Sequence, residues 1–449
     1  MKKLFLILIS GLIFTALPLF AQHNNRASRD LQFRFGNPGA RSLGFGGAFI
    51  GLADDATAPL ANPAGMVLTR KRSVSYEFDY STHDNEILFQ SGTVLQTNLF
   101  EFDFALNTST AKEQTFSIPY LAMVMPMKGM HLGFFIHQQA NLKRQYTTDP
   151  ILICPFASGF HPDCANDPQP SFYPQSTDTL DIQMFNGGVS LAREFGNRFS
   201  MGLSAFYSRM DYQADSSTLF PLVTRDEFVN RTARGKDSGW GGIAGLLWRA
   251  TDNLSIGATY KHQPEFNYRA ISSSTGPIPL NPPDFEADGI FNVPDSLGIG
   301  FSIKPLDVFT INFDANRVYY SQITDDFIDF TRASLDNDTP ILQFMPDVTE
   351  LHIGMEYIFF AAFPISVRAG YWVDPYHAAT NNIEDNQILE GPLDKPFFRD
   401  VFFLNRFERD INHYSLGLGL TPRNNIQLDF AMEIADDGDR ATFSGIYRF

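Results

Sequence analysis

Asn425-Ile426-Gln427-Leu428-Asp429-Phe430-Ala431-Met432-Glu433-Ile434 decides the fold. Successive side chains of an extended chain point to opposite faces. One face here therefore carries Ile426, Leu428, Phe430, Met432 and Ile434, and the other carries Gln427, Asp429, Ala431 and Glu433. Residues 364–373 repeat the pattern: Ile365, Val367, Ala369, Tyr371 and Val373 alternate with Ser366, Arg368, Gly370 and Trp372. Phe309, Ile311, Phe313 and Ala315 alternate with Thr310, Asn312 and Asp314, and Tyr414, Leu416, Leu418 and Leu420 with Ser415, Gly417 and Gly419. Asp429, Glu433 and Arg368 are costly in lipid, while the opposite faces are costly in water. A closed wall, apolar outside and polar toward a lumen, satisfies both.

Working outward, the strand-like segments are joined by connections of alternating length. Lys128-Gly129, Phe195-Gly196-Asn197, Thr251-Asp252-Asn253, Pro305-Leu306, Ala361-Ala362-Phe363 and Pro422-Arg423-Asn424 are short turns. Between them the sequence predicts long polar loops at about 81–114, 148–180, 213–237, 271–288, 323–347 and 376–409, with one short outer hairpin near 435–440. Short turns at one end and long loops at the other are the layout of an outer-membrane barrel. The pattern yields about 14 strands, an all-β transmembrane antiparallel barrel over residues 72–449. The final strand carries Phe443, Gly445, Tyr447 and a terminal Phe449 on one face, a signal suited to the barrel-assembly machinery.

Composition agrees. Of 449 residues, 44% are hydrophobic and 19% charged, with 44 Phe, yet mean hydropathy is only −0.14, as alternation produces. Met1-Lys2-Lys3, the apolar run Leu4 to Phe20 and the small Ala21 form a signal peptide, residues 1–21, placing the mature chain in the Gram-negative outer membrane. Losing Lys2 and Lys3 leaves 32 basic against 50 acidic residues, a charge of −18, which argues against a nucleic-acid partner. Cys154 and Cys164 fit a disulfide in an oxidising compartment. No metal, cofactor or enzyme chemistry is indicated. Gly44-Phe45-Gly46-Gly47 lacks the Gly-Lys-Ser/Thr of a phosphate loop, the nine His form no ligand pair, and Asp54-Asp55 reads as a turn.

Residues 22–71 precede the first strand. The run from Asn37-Pro38-Gly39 through Gly46-Gly47-Ala48 to Asn62-Pro63-Ala64-Gly65 is too short and Gly-rich for a separate domain, so it must pack against something else. Together with Val293-Pro294-Asp295-Ser296-Leu297-Gly298-Ile299-Gly300, Gly354-Met355-Glu356-Tyr357 and residues 367–375, it resembles the FadL/TodX family of outer-membrane transporters. The Asn62-Pro63-Ala64 element is the hatch motif of that resemblance. The resemblance implies an N-terminal hatch plugging the lumen and passive uptake of hydrophobic compounds such as long-chain fatty acids. A small hydrophobic ligand, outer-membrane lipid and lipopolysaccharide are the implied partners of an expected monomer. The alternatives are a FadL-like binding or shuttle component of a protein secretion system, similar to PorV, and a general porin. Arg368 is the candidate partner for a substrate carboxylate, with Glu356 on the adjoining strand as a competing partner and Arg249 and Lys261 as weaker candidates. Phe45, Phe156, Phe160 and Phe172 are further substrate-binding candidates, and a hatch shift or a kink in a wall strand near 133–140 is expected to open the path out through the wall. Inward glycines, among them Gly133, Gly202, Gly298, Gly300, Gly417 and Gly419, make room for a plug or a ligand.

Overall fold

The computed structural model describes residues 36–95, 103–147, 151–154, 171–173, 175–221, 226–275, 284–324, 343–377, 380–381 and 410–449. The signal peptide, Cys164, Phe156 and Phe160 lie outside them, as do the side chains of Cys154 and Phe172. Fourteen antiparallel strands form a closed barrel. They are β1 (Ser73–Leu95), β2 (Asp103–Met127), β3 (Met130–Thr147), β4 (Gln175–Phe195), β5 (Phe199–Pro221) and β6 (Asp226–Arg249). β7 (Leu254–His262 and Glu265–Thr275) and β8 (Asp284–Asn292 and Ser296–Leu306) each run in two segments. β9 (Phe309–Val318), β10 (Val348–Phe360), β11 (Pro364–Asp374), β12 (Ile411–Arg423), β13 (Ile426–Ala435) and β14 (Gly438–Arg448) complete the wall. β1 pairs with β14 from Ser73↔Arg448 to Ser81↔Arg440, which removes every open edge at the seam.

The alternation reads as expected. On β13, Asp429 and Glu433 are buried, while Phe430, Met432 and Ile434 are exposed on the outside. Phe116, Trp240, Phe360 and Leu416, each at least 68% exposed, belong to the same outer belt. A belt of that size is stable only in lipid. No helix among the described residues is long and apolar enough to cross a membrane.

Two expectations need correcting. The predicted outer loops are too long. β1 and β2 stay paired from Ser81↔Thr115 out to Thr93↔Asp103, and β5 and β6 from Asp211↔Lys236 to Pro221↔Asp226. Along these extensions the sequence loses the regular one-face alternation of apolar residues that marked the strands nearer the short turns. β7 and β8, expected as unbroken, are interrupted at Gln263-Pro264 and at Val293-Pro294-Asp295. Proline cannot donate to a ladder. Asp295 staples the break: its carboxylate accepts from Tyr260 OH at 2.6 Å and from the Gln263 N–H at 2.8 Å.

Candidate functional site

The segment ahead of β1 lies inside the barrel. It holds two short helices, α1 (Ala40–Gly44) and α2 (Ala58–Ala61), and a 3-10 turn (Pro63–Leu68). Helices this short have little stability alone. The segment is held by contacts with inward-facing residues around the wall, and Phe45, Phe49, Ala53, Ala61, Asn62 and Met66 are fully buried.

Its backbone docks on glycines. A Cβ at Gly354 would strike Phe45, one at Gly370 would strike Gly46, one at Gly257 would strike Ile50, and one at Gly202 would strike Pro63. Inward glycines expected to make room for a plug do so at Gly133, against Pro59 and Met66, and at Gly298 and Gly300, against Ile50. Close approach of two backbones requires the absence of a side chain.

Wall side chains then satisfy the plug's orphaned backbone groups. Asp314 accepts from the N–H groups of Phe49 at 2.6 Å and Ile50 at 2.8 Å. Glu77 accepts from the Gly39 N–H at 2.6 Å, and Asn312 donates to the Ala48 carbonyl at 2.9 Å. The Asn62 amide donates to the carbonyls of Ile50 and Leu246, both at 3.0 Å, while its oxygen accepts from the Ala64 N–H at 3.1 Å. The Asn-Pro-Ala element thus ties the plug to itself and to β6. Replacing Asp314 with Ala leaves two buried N–H groups unpaired, a cost of about 1–3 kcal/mol each. Hydrogen exchange at Phe49 and Ile50 is expected to speed up in that variant, with the amides of β12 unchanged.

Charges inside the plug are matched. Arg41 pairs with Asp54 and, at 3.3 Å, with Asp55, and lies 4.0 Å from Glu356. Burial is the largest single influence on Asp54 and opposes its ionisation, but the charges of Arg41 and Lys304 and the hydrogen bonds it accepts together outweigh burial and hold the carboxyl below its ordinary range. Asp54-Asp55 is therefore the acidic half of a buried ion cluster.

Arg368 sits under the plug, only 2% exposed. Its Nε donates to Glu356 at 2.7 Å and its Nη1 to Asp429 at 2.7 Å. β10 and β11 place Glu356 and Arg368 directly opposite each other. The guanidinium is thus committed to two wall carboxylates, with the Phe45 ring 5.9 Å away. Phe45 itself is fully buried between plug and wall. Arg249 lies at the short-turn end, paired with Glu194. Lys261 faces the lumen and holds the Asn37 side chain at 3.0 Å.

Toward the long-loop end, a cavity of about 230 Å³ opens above the plug, lined by Asn37, Gly47, His137, Lys261, His352 and Arg440 among others. A second, of about 40 Å³, lies beside it between Leu60, Phe206, Ile243, Gln139, Asn186 and Gln263. Above them the inner wall turns apolar. Leu180, Ile182 and Met184 of β4, Met210 of β5, Phe266 of β7, Phe291 of β8 and Val318 of β9 pack with Tyr320 and Ile323 into one buried cluster. Tyr320 and Ile323 come from the segment around a third helical turn, α3 (Ser321–Thr324), which folds over the wall's rim. This collar was not anticipated from sequence. Its signal was present: in Leu180-Asp181-Ile182-Gln183-Met184 the alternation is as clean as in β13, but the apolar residues face inward.

No protein-family profile matches the sequence, and no curated protein does. Solved structures do match. A Pseudomonas aeruginosa FadL homologue aligns over 93% of this chain and 100% of its own, at 12% identity and a TM-score of 0.65. The Ralstonia pickettii toluene transporter TbuX aligns over 93% and 99%, at 16% identity and 0.55. The Pseudomonas putida toluene transporter TodX aligns over 93% and 99%, at 14% identity and 0.55. At these identities the likeness is one of architecture, and over 93% of its length this chain has the fold of FadL-type barrels.

Proposed function

We propose that the chain is a FadL/TodX-type transporter that takes small hydrophobic compounds, such as long-chain fatty acids, passively inward across the outer membrane. The apolar collar is the observation that carries this reading. A water-filled porin needs a polar lumen throughout, whereas here buried Leu, Ile, Met and Phe side chains close around the passage above a plugged floor. An apolar solute gains about 25 cal/mol per Å² buried at such a surface. The fold shared with transporters whose names specify toluene supports the same class. In this reading residues 1–21 are removed on export, 22–71 form the hatch and 72–449 the barrel. The barrel-assembly machinery inserts the chain, which works as a monomer among lipid and lipopolysaccharide. Exit from the lumen is sideways through the wall. The bulge at Gln139 of β3, within the segment expected to open, and the breaks in β7 and β8 supply the irregular places.

Mass spectrometry of small molecules co-purifying with the barrel in lipid nanodiscs tests this. Apolar ligands are expected with the native chain, and are expected to be lost when Met184 and Phe266 are both replaced by Asp. No ligand in the native chain, or equal ligand in both, refutes the reading.

A further inference from the structure

Three amides cross the lumen between the collar and the plug. Gln139 Nε2 donates to Gln263 Oε1 at 3.0 Å, and Asn186 Nδ2 donates to Gln139 Oε1 at 2.8 Å. Gln139 is on β3 and Gln263 on β7, four strands apart around the wall, so this bond spans the interior. Both sit where the backbone is irregular. The β3–β4 register slips between Gln138 and Ala140, and Gln263 follows the first segment of β7. The bridge lies one level below the collar: Asn186 follows Leu180, Ile182 and Met184 on the inward face of β4, and Gln263 precedes Phe266 on β7.

Beside the bridge are buried polar atoms with no hydrogen-bond partner among the described residues. The register aligns His137 of β3 with Asn186 of β4, and Asn186 with Ser208 of β5. His137 Nδ1, Asn186 Oδ1 and Ser208 Oγ are all unpaired, and Asn186 and Ser208 are 2% and 0% exposed. His137 and Asn186 line the 40 Å³ cavity together with Gln139 and Gln263. An unpaired buried polar atom is costly, and three at one level form a place for a hydrogen-bonding group. Lys261, which lines the same cavity, already holds Asn37.

We infer that Gln139, Asn186 and Gln263 form a polar latch across the lumen that reads the head of an amphiphilic ligand. This rests on the transport reading above and narrows its substrate class. A ligand whose tail lies in the collar and whose head is a hydroxyl or a protonated carboxyl replaces the Gln139–Gln263 bond. Its O–H donates to Asn186 Oδ1 or His137 Nδ1, and its oxygen accepts from the Gln139 amide. A bare hydrocarbon breaks the same bond and returns nothing. Sites built to hydrogen-bond a substrate group reject the analogue that lacks it far more strongly than apolar pockets reject a lost methylene.

The test is equilibrium binding of radiolabelled n-decanol and n-decane to the full-length barrel in nanodiscs. The native chain is expected to prefer the alcohol at least tenfold beyond the bilayer's own partition ratio. The double variant Gln139→Leu/Gln263→Leu, which keeps side-chain volume, is expected to erase that preference by binding the alkane more tightly. Gln139→Leu alone is carried in parallel, and heat-dependent gel mobility verifies that each barrel is folded. Equal corrected affinities in the native chain, or a preference surviving in either folded variant, overturn the latch while leaving the transport reading intact. Binding of neither probe overturns both.

Discussion

Replacing Gly370 with Leu is expected to detach the plug from the wall. The Gly370 α-carbon faces the Gly46 amide so closely that even a Cβ would overlap it. Gly46 cannot yield easily. Its φ of +62° fixes the turn after α1, and its carbonyl accepts from His352 Nδ1 at 2.7 Å. A four-carbon side chain therefore has to push residues 45–47 off β10 and β11, breaking the neighbouring contact at Gly354 as well. Amides of residues 45–51, with the protection of the global fold in the native chain, should exchange on the order of a hundredfold faster, as expected of a locally opened segment. Gly187→Leu is the control, because nothing lies within 4 Å of a Cβ there. Equal protection in both variants would show that the docking contacts carry no weight.

The second large effect is on stability. Arg368→Leu removes the cation between Glu356 and Asp429, which are 4% and 1% exposed. Breaking a buried ion cluster by deleting one member costs about 3–5 kcal/mol, since the remaining charges have no water to turn to. The urea midpoint in detergent, read by gel mobility, is expected to fall accordingly. Arg368→Lys keeps the charge but not the fork that reaches both acids, so it should fall between the two. Adding Glu356→Gln and Asp429→Asn to Arg368→Leu should recover part of the loss. A midpoint unmoved by Arg368→Leu would remove the cluster from the account of what holds the floor of the lumen together.

Where lipid and water impose opposite demands on the two faces of a strand, the sequence shows the fold directly. Residues 425–434 and 364–373 are such places, and the barrel, the strand count and the inward face of Asp429 and Arg368 were legible there. The competing partner Glu356 was visible too, because strand pairing places it opposite Arg368. Beyond the lipid one demand lapses, so β1, β2, β5 and β6 continue through sequence that reads as polar loop. On β4 the phase reverses at Met184-Phe185: Ile182 and Met184 face in, then Phe185 and Val189 face out. The reversal marks the level at which the strand leaves lipid, and it also marks the collar. The latch was not legible, because Gln139 and Gln263 are brought together only by curvature and two backbone irregularities. Inward glycines were legible as space, but which backbone each admits depends on the path of the plug.

The glycine contacts also bear on how the molecule is made. The leading segment touches β3, β5, β7, β8, β10, β11 and β12 at positions where no side chain intervenes. Such a piece is expected to be in place before the seam between β1 and β14 zips. The cylinder then closes around a core already in hand, much as a cooper raises staves about a former. A circular permutant that begins at β1 and ends with residues 36–72 keeps the same contacts but tethers the segment from the other end, and is expected to reach the folded band in heat-dependent gel mobility more slowly than the native chain; equal rates would remove the order of closure.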